Sequence, residues 1–90
     1  MADDQLITQS VAEMKPYVFP LLNKQDRIAC DGAVLAGEPY EALAWFFSSF
    51  TVQDARKIPD DTLFSAFNLL DDEDRELYLH LLLQRQTVAI

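Results

Sequence analysis

The sequence predicts an all-α fold, a compact bundle or orthogonal array of five helices plus one short helical turn. Apolar residues recur three and four apart in each long segment. Residues that cap or stop helices fall between those segments. No alternating apolar and polar run with hairpin-turn residues occurs, which argues against strands. With 90 residues, half of them hydrophobic, and only two glycines, the chain reads as one domain over 1–90 that folds without staples.

The first helix is expected from Asp3 or Asp4 to Lys15. Leu6, Ile7, Val11 and Met14 lie at helical spacing, Asp4 can cap, and Pro16 should stop it. Proline disfavours helical geometry in the residue before it, so Pro16–Pro20 reads as an extended apolar connector. Asn23 caps the second helix, with Asp26 in its first turn, and Gly37 supplies the left-handed residue that ends it near Ala36. Ile28, Ala29, Gly32, Leu35 and Ala36 form its apparent apolar face, small enough for a neighbouring backbone to approach closely.

Pro39 suits the first position of a third helix reaching Phe50, with Leu43, Phe46, Phe47 and Phe50 in one stripe and Tyr40 at its edge. Thr51 and Asp54 mark a short turn of helix that ends before Ile58-Pro59. Asp60 or Asp61 then caps a helix carrying Leu63, Phe64, Phe67 and Leu70. Asp71 caps the last, which should reach Arg85 or Gln86, leaving Thr87–Ile90 to fray or fold back. Residues 21–27 echo residues 69–75, but both read as ordinary capped helix starts, and convergence is preferred over duplication.

Charge and composition narrow the function classes. A net charge of -8 opposes direct binding to nucleic acid or an anionic membrane and suits a basic partner. No run reaches the ~20 apolar residues of a membrane span. The start Met-Ala-Asp-Asp lacks the basic and apolar regions of a secretion signal, and a lone cysteine points to a reducing compartment, so the expected location is cytoplasmic. Cys30, among Ile28, Ala29, Ala33 and Val34, reads as a small buried apolar residue.

Chemistry finds little support. The consecutive acids at 71–74 fall on a helix, where successive side chains diverge by about 100°, so they do not form a metal loop. Glu76 and His80 have carboxylate–imidazole spacing, but no second histidine completes a catalytic or zinc set, and a partly buried, locally paired His80 is the plainer reading. No glycine-rich phosphate loop or nucleophile elbow occurs. No enzyme activity, metal or cofactor is expected.

What remains is surface. Asp60, Asp61, Asp71, Asp72, Glu73 and Asp74, with Glu76, should gather near one pole, two helix starts no more than about 15 Å apart, and form a patch for a basic surface. Trp45 lies off its helix's stripe and either packs on a second helix, the favoured reading, or anchors a partner. Leu77, Tyr78, Leu79, Leu81, Leu82 and Leu83 cover more of their helix than one core face needs, so a homodimer is a further possibility. The sequence thus favours a small acidic protein–protein interaction module. An inhibitor or immunity-type protein masking a basic, nucleic-acid-acting target is the first alternative, and a self-assembling subunit using the C-terminal helix the second.

Overall fold

The computed structural model describes residues 3–89, with side chains described for residues 3–83. Among the described residues there are six α-helices, one 3-10 turn and no strand: α1 Asp4–Val18, the turn Phe19–Leu21, α2 Lys24–Leu35, α3 Pro39–Ser49, α4 Val52–Ala55, α5 Asp60–Asn68 and α6 Asp72–Ala89. The all-α array expected from the sequence is what forms.

α1 starts one residue earlier than a cap at Asp4 would allow, because Asp3 takes that role and accepts from the Gln5 N–H at 2.8 Å. It also runs through Pro16. Ile7, Val11, Met14 and Val18 make one continuous buried face, and carrying Val18 into the core keeps the last turn helical. Proline has no N–H for the carbonyl of Ala12, but Ala12 is exposed and water can replace that bond. The expected extended connector is therefore the end of α1 plus a 3-10 turn.

α2 begins as expected, with Asn23 Oδ1 accepting from the Asp26 N–H at 2.8 Å. Its orientation does not follow the reading. Cys30 is buried and Ala33 and Val34 pack partly against the core, whereas Ile28 and Leu35 are 61% and 88% exposed. The helix carries two apolar arcs, and α3 takes the one through Cys30. Gly37, at φ 81°, turns the chain into α3, where a side chain would be strained.

α3 is the axle of the molecule and packs against α1, α2 and α6. Ala42, Leu43, Phe46 and Phe47 are buried, and Phe50 joins them just past the helix end. Phe46 meets the Phe19 ring edge-on at 6.0 Å, while Phe47 touches the rings of Phe50, Phe67 and Tyr78. Thr51 and Asp54 close a reciprocal capping box on α4. α5 opens on Pro59 without a side-chain cap, so Asp60 and Asp61 lie inside its first turn instead of preceding it. There their charge meets the positive end of the helix, an alternative to capping by hydrogen bond. α6 continues past Arg85 and Gln86 to Ala89; Ile90 lies outside the described residues.

Candidate functional site: an acid-rimmed cleft

The acidic segment between α5 and α6 is organised by its first residue. Asp71 caps α6, its Oδ1 accepting from the Asp74 N–H at 3.0 Å. Tyr40, from the first turn of α3, reaches both residues: its hydroxyl donates to Asp74 Oδ2 at 2.6 Å and accepts from the Asp71 N–H at 2.9 Å. One phenol thus fastens the start of α3 to the start of α6. Burial pushes the Tyr40 hydroxyl far above its ordinary pKa; the Asp71 N–H works against this, and the carboxylates of Asp74 and Asp71 add to it. Tyr40 therefore keeps its proton and stays a donor to Asp74 through the neutral range.

Beside this clasp lies a cleft of about 650 Å³. Ile7, Leu69 and Leu70 are its apolar lining, and Asp4, Asp71 and Asp72 line it from the starts of α1 and α6. Arg75 also lines it and pairs with Asp72 one turn away. Such a cavity can accept an aliphatic chain ending in a cation, with methylenes against the leucines and the charge among the carboxylates.

Of the sequence-predicted acids, Asp71 and Asp72 line the cleft, Asp74 is committed to Tyr40, and Glu73 is exposed on α6. Asp60 and Asp61 stand at the far end of α5, whose nine residues separate the two groups by about 13 Å. They do not line the cleft. Asp4, Tyr40 and Arg75 were missed. A tyrosine at the edge of an aromatic stripe, needing a partner for its hydroxyl, was the available signal.

Trp45 does not pack as expected: it is 40% exposed, and two serines, Ser48 and Ser49, donate to its carbonyl at 2.7 and 2.6 Å. Its ring sits on the outer side of α3, opposite the face that α3 gives to the core. His80 is exposed rather than partly buried, with Nδ1 3.2 Å from the Leu77 carbonyl. Leu81 and Leu82 are buried while Leu77, Leu79 and Leu83 are exposed, so α6 is not wrapped on all sides.

Cys30 is buried and in no disulfide, its thiol pushed up in pKa by burial and by the nearby charges of Asp26 and Asp31. Among the described residues no group of three metal-ligating side chains comes together, and no helix is long and apolar enough to cross a membrane. Comparison with protein-family models, with curated proteins and with solved structures returns no match, so the reading of this site rests on its geometry alone.

Proposed function

We propose that this protein is a non-enzymatic interaction module that binds a basic partner protein in the cytosol through its acidic side, taking a lysine or arginine side chain of the partner into the cleft. The observation that carries the proposal is the pairing of apolar lining, Ile7, Leu69 and Leu70, with acids from two helix starts, Asp4, Asp71 and Asp72, which outnumber Arg75, the one cation among the lining residues. A flat charged surface would serve solubility alone; a cavity of this lining fits a long cationic side chain as well. Asp60, Asp61 and Glu73 extend the negative field around it and steer the approach of the partner. Trp45, exposed on α3, is a further contact for the same partner. Partners whose basic surface normally engages phosphates fall within this class, with carboxylates occupying the phosphate positions. A lone cysteine, Cys30, with no partner for an internal disulfide, accords with a reducing compartment.

The test is association kinetics at graded ionic strength, using a partner captured from the host and a lysine-rich peptide as probe. Association should slow steeply between about 0.05 and 0.5 M salt, because the charges involved are screened within a Debye length. Asp4→Lys combined with Asp72→Lys should slow it by about tenfold or more; the thermal midpoint should fall modestly, because both acids sit in a first helical turn and Asp72 pairs with Arg75, while the dichroism spectrum stays helical. Asp74 is a poor choice for reversal, since its carboxylate holds Tyr40. Binding indifferent to salt and to the double reversal would refute the proposal.

A further inference from the structure

We infer that the outward face of α2 is a self-association surface, on which a second copy of this chain docks its own α2 in antiparallel orientation. The face consists of Gln25, Ile28, Ala29, Gly32, Leu35 and Ala36, none of them charged, with Lys24 at its start. A surface helix ordinarily turns its polar side to water. Here the core takes the Cys30 side, while Ile28 and Leu35 stand 61% and 88% exposed.

Gly32 sharpens the point. It lies inside a helix, where glycine is less favourable than alanine, and a Cβ built on it would meet nothing within 4 Å. Among the described residues nothing requires a glycine there. A backbone from outside crossing at Gly32 would.

The distribution of charge selects a second copy as the occupant. Residues 15–38 hold Lys15, Lys24 and Arg27 against Asp26, Asp31 and Glu38, so the whole excess of -8 lies elsewhere and this side does not repel itself. Lys15 is paired with Asp31, and Arg27 donates to the Phe19 carbonyl, which leaves Lys24 at one end of the face and Glu38 beyond the other. A two-fold axis near Gly32 sets Lys24 of each copy beside Glu38 of the other, whereas a parallel pair would set lysine against lysine. The twelve residues of α2 span about 18 Å, and a strip that long and about 10 Å wide offers well under the about 800 Å² per partner of a standard interface. The dimer is therefore a weak, reversible one.

Sedimentation from about 10 μM to about 1 mM covers the range of a weak, reversible association. Monomer and dimer should exchange within it. Leu35→Glu should raise the dissociation constant about tenfold or more, with an unchanged dichroism spectrum because Leu35 touches little of the core, and Leu79→Glu on α6 should leave it alone. Gly32→Ala should move two readouts in opposite directions: the monomer's Tm rises by several degrees while the dimer weakens at least about threefold. Lys24→Glu and Glu38→Lys should each weaken the dimer and together restore it. A strict monomer up to about 1 mM would overturn the inference. So would a dimer broken by Leu79→Glu and spared by Leu35→Glu, or one that Gly32→Ala tightens.

Discussion

Tyr40 shows how much one side chain can organise. Its hydroxyl is donor to Asp74 and acceptor from Asp71 at once, so Tyr40→Phe removes two hydrogen bonds and leaves a backbone N–H without its partner. The expected loss is about 2 kcal/mol, read from chemical denaturation, together with a looser start of α6 in hydrogen exchange. The pH dependence follows from the raised pKa, caused first by burial. In the unfolded chain the phenol loses its proton near pH 10, whereas the folded protein retains it. The contribution is full below that pH and is lost progressively above it, because there the unfolded state binds fewer protons. Tyr40→Phe should therefore flatten the alkaline fall in stability, and the remainder should belong to Tyr78 and Cys30, whose pKa values burial and neighbouring carboxylates also raise. None of this was legible from spacing. The partners of Tyr40 come 31 and 34 residues later in the chain, and local pattern stops at a turn or two. The capping of α6 by Asp71 was legible, because Asp71 and Asp74 are three apart and the contact is local.

At the level of elements, the ends that sequence placed well are those decided by neighbours within four residues. Asn23 on α2, Pro39 on α3, and Thr51 with Asp54 on α4 all serve as their local chemistry dictates. Residues 21–27 and 69–75 even share one device, a buried leucine followed by a cap that accepts from the N–H three residues on. The ends that moved are those decided at a distance: α1 passes Pro16 because Val18 is held in the core. α2 faced the other way because two apolar arcs compete on one helix, and only the packing partner chooses between them. α4 supplies an element-scale test. It has four residues, too few to be stable alone, and the capping box positions Ala55 and, just beyond it, Ile58 in the core. Thr51→Ala should cost about 1 kcal/mol and lower the Tm by roughly 4–8 °C, while Thr51→Ser should cost far less. An unchanged Tm for Thr51→Ala would mean that the core alone holds α4.

For the molecule as a whole, the all-α class was readable because six helices sharing aromatic and aliphatic faces leave no other use for those periodicities. The cleft was not readable, since it is bounded by α1, α3, α5 and α6, whose relative placement no single segment encodes. The same array sorts charge: carboxylates collect where α1, α5 and α6 begin, while the α2 side stays balanced. One buried sulfur offers a way to watch this architecture move. The main packing partner of α2 is α3, and the Cys30 thiol sits under it. A thiol reagent can reach that sulfur only when the helix lifts, so its reaction rate becomes a stopwatch for one corner of the protein. Modification at neutral pH should be slow and should report an opening free energy below that of complete unfolding by dichroism; equal values would show that α2 leaves only with everything else. Crowding the solution with more of the same chain should slow that stopwatch further, as two copies hold each other's lid shut.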